Sequence, residues 1–291
     1  MKPSFFVVGA QKAGTTALHH FLSEHPDIYL PRQKETKFFV DNSEYEKGIS
    51  YYLETYFSDC PQGSIAGEVD PDYMYFSKAA DRIYKHITAP KFIFIFRNPV
   101  ERAFSHYIMS FRRGLELFTF EEAIEKERSR IEVGYEGDFH YSYVKRGSYY
   151  GQVNRFLLMF KSSEMLYLLS DDLKNKPVET VQQCYKFLGV DDKFIPNIIE
   201  RKFHEATVPK VLPLSILFRD KSAYPLIRKV VRNMLPSLEL RNKIRAYLVS
   251  WNSKKNDLKL KESTRLYLID LYKDDNKKLS QLINRDISHW N

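Results

Sequence analysis

The segment Phe5-Phe6-Val7-Val8-Gly9-Ala10-Gln11-Lys12-Ala13-Gly14-Thr15-Thr16-Ala17-Leu18 constrains this chain more than any other. Its apolar start reads as a buried strand, and a small-residue loop with two glycines follows. Residues 15–24 then read as a helix, with apolar positions at 18, 21 and 22 and a stop before Pro26. A glycine loop that opens a helix leaves unpaired N–H groups at the helix start, and the helix dipole adds partial positive charge there. That is an anion site. Gly9 and Gly14 let the backbone curl around the anion, with Gln11 and Ala13 between them. Lys12 adds a full charge, and Thr15 and Thr16 add hydroxyl donors.

The loop is neither of two common nucleotide fingerprints. A Walker loop reads GxxxxGK[ST], whereas Lys12 precedes the second glycine by two residues, so the metal-binding hydroxyl directly after the lysine is missing. The GxGxxG of a dinucleotide fold is absent as well.

Four more apolar runs read as buried strands, at 28–30, 64–67, 92–96 and 165–169, beside the first at 4–8. Helical periods cover 99–111, 147–161, 177–188 and 262–283, with proline at the first helical position of the first of these. Alternating strands and helices predict an α/β fold: one domain over 1–291, a central parallel sheet of about five strands flanked by helices. Residues 194–253 read as a helical, loop-rich appendage without a clear strand.

Composition adds limits rather than direction. The 291 residues are 43% hydrophobic and 15% aromatic, enough for a sizeable core and unlike a disordered chain. Lys and Arg exceed Asp and Glu by 45 to 37, a net +8 that suits an anionic ligand but is also ordinary solubility charge. Cys60 and Cys184 are the only cysteines, too few for a disulfide scaffold or a zinc cluster. Two reduced, buried thiols fit a cytoplasmic setting. The N-terminus lacks the length and cleavage site of a signal peptide, and no run approaches the roughly 18 apolar residues of a membrane span.

A second element stands far along the chain. Residues 92–96 run into Arg97-Asn98-Pro99 and a helix carrying Ser105. A guanidinium at a strand tip and a hydroxyl two turns into the helix can both serve one phosphate, the first with paired donors and permanent charge.

Together these segments resemble the sulfotransferases that use 3′-phosphoadenosine 5′-phosphosulfate (PAPS). Gly9 to Leu18 resembles the family's 5′-phosphosulfate loop, and Arg97 with Ser105 eight residues on resembles its 3′-phosphate motif. The resemblance runs on through 146–153, 169–173, 187–190 and the closing 279–290. It implies sulfuryl transfer to an acceptor hydroxyl, with adenosine 3′,5′-bisphosphate (PAP) as product and no metal, Lys12 meeting the charge of the leaving phosphate. The closest resemblance is to the glycan (heparan-type) sulfotransferases and their soluble bacterial relatives. Their Lys-Glu-x-x-Phe-Phe motif is similar to Lys34-Glu35-Thr36-Lys37-Phe38-Phe39, which points to Glu35 as catalytic base and to a saccharide acceptor.

Lys37, Glu68, Asp70 and Tyr73 are the residues expected on the acceptor side. Two departures set this chain apart: Lys37 stands where heparan-acting relatives often carry histidine, and Val69 where many carry lysine. The small-molecule sulfotransferases share the donor motifs, but their Lys-Thr-His base and C-terminal Arg-Lys-Gly loop are absent. The basic segment 201–210 could replace that loop, with Lys210 on the 3′-phosphate or the acceptor.

Two other readings compete. A P-loop-type small-molecule kinase needs a Walker lysine and a magnesium-holding Asp at a strand end, where this chain has Arg97. A nucleic-acid binder needs clustered basic residues or a recognisable binding module, and neither is present. The histidines show no metal-ligand spacing. No nucleic acid, metal or membrane span is expected.

Overall fold

The computed structural model of the chain describes residues 1–199 and 258–291, together with 207–209, 253–255 and a few single residues between them. Its contacts gather into two compact units, one of Met1–Arg102, Lys145–Phe203 and Leu268–Asn291, the other of Ala103–Val144 and His204–Tyr267.

In chain order the elements are β1 (Phe5–Gly9), α1 (Thr15–Ser23), β2 (Ile28–Tyr29), α2 (Asn42–Tyr45), α3 (Gly48–Phe57), β3 (Ile65–Val69) and α4 (Lys78–His86). Then come β4 (Lys91–Phe96), α5 (Pro99–Arg112), α6 (Phe120–Glu125), α7 (Glu127–Ile131), α8 (Tyr135–Tyr141) and α9 (Tyr149–Leu157). The remainder is β5 (Met165–Leu169), α10 (Ser170–Asn175), α11 (Pro177–Leu188), β6 (Thr207–Pro209), β7 (Ser253–Lys255) and α12 (Glu262–Ile283). The five expected strands are all present, within a residue or two of the expected bounds.

The first unit is built on a five-stranded sheet in the order β2-β3-β1-β4-β5, every pairing parallel. Phe5 to Val8 and Phe92 to Phe96 are fully buried, which is why their sequences run apolar without alternation. Phe6 sits at the centre of an aromatic cluster, its ring centroid 5.8 Å from that of Phe39, 6.2 Å from Tyr73 and 6.1 Å from Phe92. Burying such a ring contributes about 1.5–3 kcal/mol. From β1 the chain crosses to the edge strand β2, comes back to β3 beside β1, and then passes to the other side to add β4 and β5. The topological switch point therefore lies between β1 and β4. In an open α/β sheet the ligand crevice lies there, outside the carboxyl ends of the strands.

Helix ends follow local chemistry. Pro177 opens α11, and Gly189 closes it in the left-handed conformation (φ 86°). In the second unit, Thr119 and Glu122 form a reciprocal capping box at the start of α6.

One expectation fails. Residues 194–253 were read as strandless, yet β6 and β7 form an antiparallel pair, Thr207 opposite Lys255 and Pro209 opposite Ser253. Three residues are too few to show a period, and a proline among them is unusual in a strand. Cys184 is buried as expected but Cys60 only partly so, and both are free thiols. Among the described residues no helix is long and apolar enough to cross a membrane.

Candidate active site

The loop between β1 and α1 leaves the sheet at the switch point. The Ala10 N–H donates to the Ile95 carbonyl of β4 at 2.7 Å, and the Ala13 N–H donates back to Ala10 at 3.1 Å, closing a tight curl. Gly9 (φ 153°) has no room for a side chain, since a Cβ there would come 2.9 Å from Met74 Cβ and 3.1 Å from the Pro71 carbonyl. Gly14 (φ 111°) is the N-cap of α1, and a Cβ would meet Leu173 at 3.2 Å. Lys12 itself takes the left-handed conformation, φ 71°. Such a backbone in a non-glycine residue costs of order 1 kcal/mol and clusters at functional sites. No side chain caps α1 and no acidic residue occupies its first turn, so its N-terminal end keeps its positive character. Thr15 is buried at that end and Thr16 partly so. The Gln11 Oε1 atom is buried nearby without a hydrogen-bond partner among the described residues.

Arg97 follows β4 directly and reaches across to the loop, its guanidinium donating to the Lys12 carbonyl at 3.2 Å. The residue's own carbonyl accepts from Tyr149 Oη at 2.9 Å, and the Tyr149 N–H is in turn held by Asp275 Oδ2 at 2.7 Å. Asn98 then caps α5, its Oδ1 accepting from Val100 and Glu101 N–H groups. Ser105 lies on α5, in the part belonging to the second unit.

The segment after β2 carries the acid–base chemistry. Glu35 and Lys37 both adopt left-handed backbone, φ 64° and 62°, on either side of buried Thr36. Glu68 on β3 holds that shape: its Oε1 accepts from the Thr36 N–H at 3.1 Å and hydroxyl at 2.6 Å, and from Tyr73 at 3.0 Å. Its other oxygen accepts from Tyr52 at 2.5 Å. Burial pushes the Glu68 carboxyl up, against the pull of these donors.

Thr36 thus points inward while Glu35 and Lys37 remain partly exposed. Lys37 Nζ is the hub of an ion cluster, donating to Asp70 Oδ1 at 2.9 Å, to Glu35 Oε2 at 3.2 Å and to Asp72 in a short contact. Arg146 pairs with the other Asp72 oxygen, and its guanidinium lies 4.2 Å from the Tyr75 ring centre. The 70–74 turn is tied to β1, the Asp70 N–H donating to Val7 at 3.0 Å and the Met74 N–H to Val8 at 2.8 Å. The cluster therefore sits at the strand end from which the phosphate loop departs.

Its electrostatics divide the carboxylates. Burial alone would raise Glu35, but Lys37 and then Lys34 outweigh it and hold its carboxyl below the ordinary glutamate value. Lys34 touches Glu35 directly. Asp72 is buried too, yet Arg146 and Lys37 bring it down to about 2. Asp70 goes the other way: burial, with Asp72, Glu68 and Glu35 nearby, lifts it to about 7 despite Lys37. The same three carboxylates, Asp70 foremost, overcome the burial of Lys37 and raise its ammonium pKa well above the usual value. An ionised glutamate flanked by two lysines can accept a proton and rest against an anionic group at once.

The structure gathers Gln11, Lys12, Ala13, Gly14, Thr15, Thr16 and Arg97 around one loop, and Glu35, Lys37 and Asp70 around one ion cluster. Glu68 and Tyr73 lie beneath that cluster, 1% and 0% exposed, and support it. Lys210 lies outside the described residues, as does the rest of 201–206. Asp72 and Arg146 were not singled out from sequence. Both sat inside motifs that were noticed, and only their salt bridge, 74 positions apart, joins them. Val69 carries no charge, and the cations of this cluster are Lys37 and Arg146, paired with Asp70 and Asp72.

Comparison with known proteins places this geometry. The sulfotransferase-domain family model matches residues 2–212. The chain is 27% identical over 320 residues to the membrane-associated sulfotransferase kil1 of Dictyostelium discoideum, covering 99% of this chain and 67% of that one. It is 25% identical to heparan sulfate glucosamine 3-O-sulfotransferase 3A1 of Mus musculus, covering 98% of this chain and 63% of the relative. The chain thus spans about two thirds of the length of these curated relatives. A crystal structure of a sulfotransferase from Alicyclobacillus acidocaldarius superposes with a TM-score of 0.73 at 26% identity, over 100% of this chain and 99% of that one. With a family match over residues 2–212, most of its length, the chain belongs to the PAPS-dependent sulfotransferase family.

Proposed function

We propose that this chain transfers the sulfuryl group of PAPS to a hydroxyl of a saccharide acceptor. Lys12, Thr15, Thr16 and the loop residues Gln11, Ala13 and Gly14 would hold the 5′-phosphosulfate, and Arg97, Ser105 and Lys210 the 3′-phosphate. The loop residues between β1 and α1 fit such a donor. The cap-free α1 end suits its anionic groups, and the buried Gln11 oxygen suits a donor group of its sugar or base.

In the reaction, Glu35 takes the hydroxyl proton as the acceptor oxygen bonds to sulfur. The bond from sulfur to the phosphate oxygen breaks, its electron pair leaves with PAP, and Lys12 meets the charge that develops there. Glu35 later returns its proton to solvent. Lys37 positions Glu35 and presents a cation on the acceptor side, while Arg146, sealed and paired with Asp72, supports it from beneath. Asp70 anchors Lys37. Glu68 and Tyr73 act by fixing Thr36 rather than by touching the acceptor, because both are sealed beneath it. The observation that carries this reading is Glu35 itself, held ionised between Lys34 and Lys37.

The heparan-acting relatives support a saccharide as acceptor. We treat 1–291 as one sulfotransferase domain, of bacterial type and acting in the cytoplasm, in line with its free cysteines. The test is incubation with radiolabelled PAPS and an N-sulfated heparosan oligosaccharide in the presence of EDTA. Label should appear in the oligosaccharide in equal amount to PAP released. Transfer that requires magnesium, or a phosphate moved from ATP, would favour the kinase reading instead.

A further inference from the structure

His19 is a polar residue of the first unit that belongs neither to the phosphate loop nor to the ion cluster. It lies on α1 one turn beyond Thr15 and Thr16, at the i+4 and i+3 positions that share their face. Helical side chains lean toward the helix N-terminus, so its ring leans toward the phosphate loop. Both of its ring nitrogens are buried, and neither has a hydrogen-bond partner among the described residues. Its one ring contact is edge-on to His20, centroids 5.5 Å apart.

Buried polar atoms without partners are costly, and a structure that keeps two of them on one ring has a use for them. Burial first, then Lys34 and His20, lowers the ring to about 4, with Glu35 acting in the opposite sense. Lys34 and Glu35 therefore lie close enough for their charges to act on this imidazole. At neutral pH the ring is uncharged and presents one N–H and one lone pair. That pairing selects its partner. Phosphate and sulfate oxygens only accept, so the phosphosulfate end of the donor, the part proposed to lie in this loop, would satisfy the N–H and leave the lone pair orphaned. An ammonium only donates. A hydroxyl does both.

We infer that His19 is an acceptor-binding residue whose ring exchanges hydrogen bonds with hydroxyl groups of the acceptor next to Glu35. This rests on the proposed function above and names a specificity contact within it. The position lies just past the loop motif, which ends at Leu18, and outside the other segments that carry the family resemblance.

His19→Leu removes both ring nitrogens at similar bulk, and His19→Asn keeps one donor and one acceptor. With the N-sulfated heparosan oligosaccharide, His19→Leu should raise the acceptor KM about tenfold and leave the PAPS KM within twofold, and His19→Asn should recover part of the loss. Because a buried polar ring becomes apolar, His19→Leu should also melt at a higher temperature than wild type. A purely structural histidine would do the reverse: lower Tm with both KM values unchanged. A rise in the PAPS KM, or weaker PAP binding by calorimetry, would move His19 to the donor side and overturn the inference. A wild-type enzyme that binds PAP yet ignores the oligosaccharide contradicts the saccharide reading, not this one. The inference then stands on higher Tm with unchanged PAP affinity in His19→Leu, and falls if either is missing.

Discussion

Arg97 donates to the carbonyl of Lys12 at 3.2 Å, so the first residues after β4 and the turn after β1 are joined with no ligand between them. The two strands flank the switch point of the sheet, and their ends carry the two motifs expected to hold opposite ends of one nucleotide. A guanidinium already directed at the loop is preorganised for an anion placed there.

Removing Arg97 should therefore abolish discrimination by the 3′-phosphate. Wild type should bind PAP far more tightly than the analogue lacking that phosphate, by about ten- to a hundredfold, the worth of a charge-assisted clamp of about 1.5–3 kcal/mol. Arg97→Ala should bring the two affinities together in a calorimetric titration, and Arg97→Lys should keep part of the preference. Full discrimination in Arg97→Ala would place the 3′-phosphate elsewhere.

Lys12 separates binding from chemistry. Its contact should strengthen as the leaving phosphate gains charge, so Lys12→Ala should lower kcat by more than it weakens PAP. Single-turnover rates and a PAP titration on one preparation give the two numbers. Equal losses would make Lys12 a binding residue only.

The raised Asp70 predicts how stability responds to pH. Its folded carboxyl titrates near 7 and its unfolded one near 3.8, so between those values the native state holds more protons than the unfolded state. Stability from this group is then present at low pH and lost as pH rises from about 4 to 7, with a slope of up to about 1.4 kcal/mol per pH unit. Asp70→Asn should remove that component. The mutant-minus-wild-type difference in Tm should grow more positive between pH 4 and pH 7. A flat difference would mean that Asp70 is ionised throughout, paired with Lys37.

The sheet was legible because its strands are buried on both faces, so each reads as an uninterrupted apolar run such as residues 92–96. The phosphate loop was legible because its glycines and lysine are contiguous. The ion cluster was not. Lys37, Asp72 and Arg146 come from three distant segments, and a salt bridge across 74 residues leaves no local period. Glu68 and Tyr73 looked like cleft residues from their motif, and only burial places them under Thr36. Helices α3 and α4 escaped for a different reason. Helix α3 buries only Tyr52 and Phe57, too sparse to mark a stripe, and α4 has a well-separated face, but one built of small Ala79 and Ala80 with Ile83 in an otherwise charged segment.

The most direct test of the account is the rate of PAP release from PAPS by Glu35→Gln, with acceptor present, across pH. The substitution keeps size and polarity but cannot take a proton, and a general base is worth about 10²–10⁴-fold. Lys37 and Lys34 hold Glu35 below the ordinary glutamate value of 4.5, so wild-type activity should persist through neutral pH and fall only as pH drops below that value. The account predicts turnover down by two to four orders of magnitude, PAP affinity unchanged, and no acidic limb in the mutant profile. A Glu35→Gln enzyme with near-wild-type turnover and the same acidic limb would contradict it.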